Sequence, residues 1–188
     1  CLKQKQKLEN LDKYEERFHE AEENLKKSRE ELETVSYKLS VIRQKYSQML
    51  TDKITEGLKD LNFLDVQFQI TFRRRKEYTA GGFDDIEYEI STNPGESLKP
   101  LGKIVSGGEL SRIMLAIKAI LADRDQIETL IFDEIDTGIS GRTAQKVSEK
   151  MAVIGRCHQV LCITHLPQIA AMADTHFEIE KHQKDNET

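Results

Sequence analysis

From Leu11 onward, side chains at alternating spacings of three and four run Leu11, Tyr14, Phe18, Ala21, Leu25, Ser28, Leu32, Val35, Leu39, Ile42, Tyr46 and Met49, and eleven of these twelve are apolar or aromatic. Glu, Lys and Arg fill most positions between them. A period of 3.5 held this long predicts one strand of a two-stranded coiled coil; a surface helix would carry a wider apolar stripe over a shorter length. At 1.5 Å per residue the segment makes a rod of roughly 58 Å. Gly57 is expected to end the periodic region, which places a coiled-coil arm at residues 1–56 and a globular part at 57–188.

Beyond Gly57 the period changes. Val66, Phe68, Ile70 and Phe72 alternate with Gln67, Gln69 and Thr71, and Ile86, Tyr88 and Ile90 alternate with Glu87, Glu89 and Ser91. With Ala80, Gly81 and Gly82 between them, the two runs predict an antiparallel hairpin, closed by a turn at Asn93, Pro94 and Gly95. A helix from about Leu110 to Ala122 follows, then a continuous apolar run at Leu130, Ile131 and Phe132. A second helix near Thr143 to Ile154 leads to another run at Gln159 to Thr164, and Phe177 with Ile179 predict one more strand. Continuous apolar runs between helices are the pattern of buried parallel strands, so the fold class is α/β.

The chain has 188 residues, with 28 Lys and Arg against 33 Asp and Glu, for a formal charge of −5. Residues 1–56 hold 12 basic and 12 acidic residues, so the excess negative charge lies entirely in the remainder. No global basic field is available to attract nucleic acid; any DNA contact needs a local patch, and Arg73, Arg74, Arg75 and Lys76 are the candidate. The more frequent use of such a run is a solvated hairpin end. No stretch approaches the ~20 apolar residues that cross a bilayer, and no apolar secretory signal is present, so a cytoplasmic location is expected. Cys1, Cys157 and Cys162 are odd in number and form no C-x-x-C pair, which argues against a structural zinc site or a disulfide framework. The chain starts at Cys1 with the helical pattern running within a few residues, which points to a piece of something larger.

Three groups of residues carry candidate chemistry. Ser106, Gly107, Gly108 and Glu109 stand immediately before an apolar-periodic helix; the glycines allow close backbone approach, and free N–H groups at a helix start favour an oxyanion such as a phosphate. A plain N-cap uses the same residues. Asp133 and Glu134 fall at the carboxyl end of a strand, where open α/β sheets put their ligand sites. Asp133 suits a Mg²⁺ ion and Glu134 an attacking water, although strand ends also turn polar simply on leaving a core. His165 ends the next strand and is expected at the same edge, in reach of a terminal phosphate oxygen or that water. His158, His176 and His182 have no comparable placement. A P-loop is missing: Gly102-Lys103 is followed by Ile104, and Ser97 occupies the first glycine position. By itself the chain is expected neither to bind ATP tightly nor to hydrolyse it.

Val105-Ser-Gly-Gly-Glu109, Leu130-Ile-Phe-Asp-Glu134 and His165 come in the order and kind seen in ABC-type ATPase heads, where they are the signature motif, the Walker B strand with its glutamate, and the switch histidine. A coiled-coil strand feeding into this half resembles the SMC class. The stretches NPGESLKPLGKIVSGGELSRIMLAIKAIL, FDEIDTGISGRTAQKVSEKM and QVLCITHLPQIAAMADTHF are similar to the bacterial RecN family of DNA repair proteins across residues 93–177. That resemblance implies the C-terminal lobe of an ABC-type ATPase head with a β-hairpin, preceded by a long coiled-coil helix, the P-loop lying on the N-terminal half of the same protein. It implies ATP and Mg²⁺ as cofactors, a second head as homodimer partner, DNA as the target and a nucleoid-associated location.

By analogy, Ser106, Gly107, Gly108 and Glu109 would meet the γ-phosphate held by the other head's P-loop, while Asp133, Glu134 and His165 act on the nucleotide of their own head. Ile139-Ser140 stands where many such heads carry Leu-Asp, and the turn around Gly138 and Gly141 is left to serve that loop. The polar tail HQKDNET ends the chain where the family continues, so a less stable half-head is expected. Two other readings compete. A coiled-coil scaffold with a non-hydrolysing head has no need of Ser-Gly-Gly, Glu134 and His165 at one edge. A transporter nucleotide-binding domain would not carry the coiled coil.

Overall fold

The computed structural model describes residues 2–104, 106–124 and 126–180, with side chains from residue 13 onward. Cys1, Val105, the side chain of Leu11, His182 and the HQKDNET tail lie outside the described residues. The elements in chain order are α1 (Leu2–Asp60), β1 (Gln67–Thr79), β2 (Gly82–Ser91), β3 (Lys99–Pro100), α2 (Gly107–Leu121), β4 (Thr129–Phe132), α3 (Gly141–Ile154), β5 (Gln159–Cys162) and α4 (Pro167–Ala170), with 3₁₀ turns at Leu101–Lys103 and Ala122–Arg124. Mixed helix and strand in this order bear out the α/β class and the long leading helix.

Gly57 does not end α1. The helix runs on to Asp60 and stops at Asn62, which takes φ 71°. The Phe63 amide donates to the Leu58 carbonyl at 3.2 Å and the Asn62 amide to the Lys59 carbonyl at 3.1 Å, the paired bonds of a Schellman stop with Asn in the left-handed position. Gly57 instead lies buried inside the helix, where an added β-carbon would meet Ala116 and Ile120 at an ordinary 3.7 Å.

By contacts the chain divides into two compact units, residues 1–48 with 71–86, and residues 49–70 with 87–188. In the first unit the hairpin tip packs on α1 through small and polar side chains. Gly82, at φ 84°, lies against Ser36 and Leu39, with both Ser36 and Ser40 buried. The Ser40 hydroxyl donates to Asp84 Oδ1 at 2.7 Å, and Arg43 Nη1 donates to Asp84 Oδ2 at 2.9 Å and to the Gly81 carbonyl at 2.7 Å. The basic run is not a hairpin end; the turn is Ala80-Gly81, and Arg73 to Lys76 lie within β1. Arg74 donates to Glu33 at 2.7 Å and stacks 4.5 Å above the Phe83 ring, and Arg75 pairs with Asp85. Two residues of the run, Arg74 and Arg75, thus face carboxylates. The apolar seam of α1, from Tyr14 and Phe18 through Leu25, Val35 and Ile42 to Tyr46, is exposed.

The second unit holds the core: Ile54 and Leu58 from the end of α1, Leu61 and Phe63 just after it, Phe68 and Ile90 from the hairpin, Ile113, Leu115, Val147 and Ile154 from α2 and α3, Phe132 from β4 and Ile135 from the loop that follows it. The hairpin and β3 form one antiparallel sheet; β4 and β5 pair in parallel with Phe132 opposite Cys162. The core covers only one face of β4 and β5. Leu130, Phe132, Val160 and Cys162 turn inward, whereas Ile131 is 67% exposed and Ile163 59%. The expectation of strands buried on both faces is thus corrected: the apolar run marks a sheet with a second face that nothing in the described residues covers. Phe177 and Ile179 form no strand and are exposed.

Candidate functional site at the carboxyl ends of two parallel strands

The Ser106 hydroxyl accepts from the Glu109 amide at 3.4 Å and caps α2, so this serine performs the plain N-cap role. The cap leaves Ser106 and Gly107 exposed, with Glu109 in the first helical turn, where a carboxylate is favoured by the helix dipole. The two glycines lie against the Glu134 loop, Gly107 against a side-chain end that can rotate and Gly108 against backbone that cannot. A β-carbon on Gly107 would overlap the Glu134 carboxylate, and one on Gly108 would lie 2.9 Å from the Glu134 carbonyl oxygen and 3.0 Å from Thr137 Cβ. The glycine turn and Glu134 are therefore neighbours within one chain.

Glu134 takes φ 55°, a left-handed conformation that costs a non-glycine residue of order 1–2 kcal/mol and persists only where its surroundings hold it. They do. The Glu134 amide donates to Asp133 Oδ1 at 2.9 Å, and the Thr137 amide donates to the Glu134 carbonyl at 3.1 Å. From α2 the Ser111 hydroxyl donates to the Asp133 carbonyl at 2.8 Å, and Arg112 Nη1 donates to the Thr137 carbonyl at 2.8 Å and the Ile135 carbonyl at 3.5 Å. Burial holds the Arg112 guanidinium below its ordinary pKa, with Glu109 pulling it back up. Ile135 is fully buried and pins the loop to the core. Gly138 and Gly141 take φ 74° and 51°, which only glycine adopts freely, and carry the chain into α3; the Ser140 side chain makes no cap bond there.

The register of β4 and β5 brings Asp133 and Glu134 to the same edge as Thr164 and His165, and the Ile163 amide donates to the Phe132 carbonyl at 3.0 Å to extend the pairing. Asp133, Glu134 and His165 are exposed there, His165 with a side chain 75% accessible. Asp133 offers an exposed hard carboxylate with one oxygen committed to the Glu134 amide. This fits Mg²⁺, which takes one or two carboxylates and keeps its waters and phosphate oxygens; no cluster of three potential metal ligands exists among the described residues. Cys162 contributes no nucleophile: burial, with Asp136 and Asp133 adding to it, pushes its thiol up to about 11. His176 is exposed, and His158 is buried, bridging the Ile127 and Ala122 carbonyls.

Four residues of this arrangement escape a reading of the sequence by motif: Ser111, Arg112, Asp136 and Thr164. Their partners across the site lie 22 to 29 positions away in the chain. The one available signal was the second carboxylate, Asp136, three places after Asp133.

No family model matches the chain. It is 44% identical over 180 residues to the DNA repair protein RecN of Halalkalibacterium halodurans, an alignment covering 94% of this chain and 32% of that protein. The match to the Bacillus subtilis protein of the same name is 41% over 206 residues, covering 96% and 36%. The chain thus spans about a third of the length of these relatives. Among solved structures, the Smc head domain of Pyrococcus furiosus with an extended coiled coil, bound to the C-terminal domain of ScpA, matches with a TM-score of 0.50 at 19% identity, over 73% of this chain and 33% of that one. That likeness concerns the fold. Among the described residues no helix is long and apolar enough to cross a membrane. Over the third of their length that it spans, the chain is similar to the RecN proteins, and its fold is similar to part of an Smc head domain with a coiled coil.

Proposed function

We propose that the chain supplies the signature half of a RecN-like ATPase head together with one strand of its coiled-coil arm, working in DNA double-strand-break repair in the cytoplasm, at the nucleoid. The observation that carries this reading is that Glu134 and His165 share one exposed strand edge, with the glycine turn that starts α2 set beside Glu134. A scaffold needs none of the three there.

In this reading the P-loop is supplied by the N-terminal half of the same protein, and that half covers the apolar face of β4 and β5. Asp133 would hold Mg²⁺, which when bound would supply charge neutralisation for the triphosphate. Glu134 swings from its resting place over Gly107 to orient and deprotonate the attacking water, and His165 hydrogen-bonds the terminal phosphate or that water. The amides behind Ser106, with Gly107 and Gly108, bind the γ-phosphate on a second head, so phosphate binding becomes head pairing and hydrolysis ends it. DNA is engaged by the paired heads and arms.

The test is co-expression with the P-loop half. Glu134→Gln should slow ATP hydrolysis by about 10²-fold or more while nucleotide-dependent dimerisation persists. Ser106→Arg should block head pairing and leave ATP binding intact. Hydrolysis by Glu134→Gln at the parent rate, or loss of ATP binding in Ser106→Arg, would overturn the assignment.

A further inference from the structure

His165 presents a problem of its own. An imidazole with three quarters of its side-chain surface in water has little packing to hold its ring, yet a group that meets a phosphate or a water must be held in one orientation and one tautomer. The structure supplies one anchor. Asp136 Oδ2 lies 3.0 Å from His165 Nδ1, accepts from the His165 amide at 2.8 Å, and accepts from the Thr164 hydroxyl at 2.6 Å. Asp136 itself is only 4% exposed, seated between the fully buried Ile135 and the exposed Thr137, whose carbonyls Arg112 holds.

We propose that Asp136 is the positioning residue of His165: its buried carboxylate accepts a hydrogen bond from the ring's Nδ1–H, so that Nε2 is the nitrogen presented outward at the strand edge. The proposal rests on the reading of His165 as a site group.

The chemistry of the carboxylate suits the task. Burial alone would raise its pKa, but the Thr164 hydroxyl, the His165 amide and the neighbouring imidazole outweigh it, and the net direction is downward, so the group is an ionised acceptor at neutral pH. An ionised acceptor on one ring nitrogen fixes the proton there and leaves the other nitrogen defined by exclusion. Thr164 completes the clamp: it donates to Asp136 and accepts from the Leu166 amide at 3.1 Å, so residues 164–166 are held as a unit at the start of α4. Asp136 touches neither substrate nor reacting atoms in this scheme and acts through the histidine.

The experiment uses the protein joined to its P-loop half, labelled with ¹⁵N-histidine. Ring nitrogen shifts should place the His165 proton on Nδ1 in the parent protein, and Asp136→Asn, whose amide can donate where the carboxylate accepted, should move it to Nε2. Asp136→Asn should also lower kcat by about 10- to 100-fold with KM for ATP within about threefold, and should add less than about twofold when His165 is already Ala. A parent His165 with its proton on Nε2 overturns the proposal without any variant. So does an Asp136→Asn penalty of equal size in the His165→Ala background, the mark of a merely structural role. His165→Ala hydrolysing at the parent rate would instead defeat the site reading of His165, and the tautomer measurement would still decide what Asp136 does.

Discussion

The two compact units of this chain are held together by different forces. In the unit of residues 49–70 and 87–188, a continuous set of Ile, Leu, Val and Phe side chains is shut away from water and supplies the cohesion. In the unit of residues 1–48 and 71–86, the helix presents its apolar seam to solvent and grips the hairpin tip through Ser36, Ser40, Arg43 and Glu33, using hydrogen bonds and ion pairs over small side chains. Polar contact over small residues fixes geometry at modest net energy. It leaves the apolar seam exposed. The lobe, in contrast, spends its apolar surface on itself except at the open face of β4 and β5.

The largest predicted effect breaks that comparison if it fails. Ile113 is fully buried, and Ile113→Ala should cost about 2–5 kcal/mol in urea unfolding of the chain. Ile42, an equally apolar seam position that is 54% exposed, should cost less than about 0.5 kcal/mol when changed to Ala. Equal penalties would mean that the seam is already covered in the isolated chain.

A smaller effect sharpens the description of the site. Gly108→Ala puts a methyl against a backbone carbonyl and Thr137, neither of which can swing aside, and should destabilise by about 1–3 kcal/mol. Gly107→Ala meets only the mobile end of Glu134; that carboxylate can rotate away, and the gain in helix propensity, up to about 1 kcal/mol, offsets the crowding. Thermal unfolding of the two variants checks the order. Matching losses would show that the Glu134 loop is as free to move as the Glu134 side chain.

What could be read from the sequence follows the same division of forces. Side-chain period exposed the arm, the hairpin, both helices of the lobe and the two strand ends, because burial writes itself into spacing. The placement of Asp133, Glu134 and His165 at the strand ends was legible for the same reason: each sits one or two residues past an apolar run. Features set by tertiary contact were not. Asn62 outcompeted Gly57 as the helix stop because Phe63 and Leu58 both enter the core around it. The basic run read as a solvated turn because its carboxylate partners, Glu33 and Asp85, are invisible to local pattern. The open face at Ile131 and Ile163 could not be foreseen either, since an apolar run reports what a strand is suited to meet and not whether it has met it.

The smallest effect tests the ionic character of the first unit directly. Arg74 gives its guanidinium to Glu33 and its flat face to Phe83, both at a partly solvated surface, so Arg74→Ala should cost about 0.5–1 kcal/mol at low salt. Screening shortens the reach of exposed charges to about 3 Å at 1 M salt, so the Glu33 share of that cost should fade between about 0.05 and 1 M NaCl. The Ile113→Ala penalty should not change in the same direction, because removal of buried apolar surface carries no charge to screen. Urea unfolding of both variants at the two salt levels, followed by circular dichroism, makes the comparison. If the Arg74→Ala penalty is unmoved by salt, the hairpin tip is held on α1 by the stacking of Arg74 on Phe83 and by the Gly82 contact, and the first unit is apolar in its energetics despite its polar appearance.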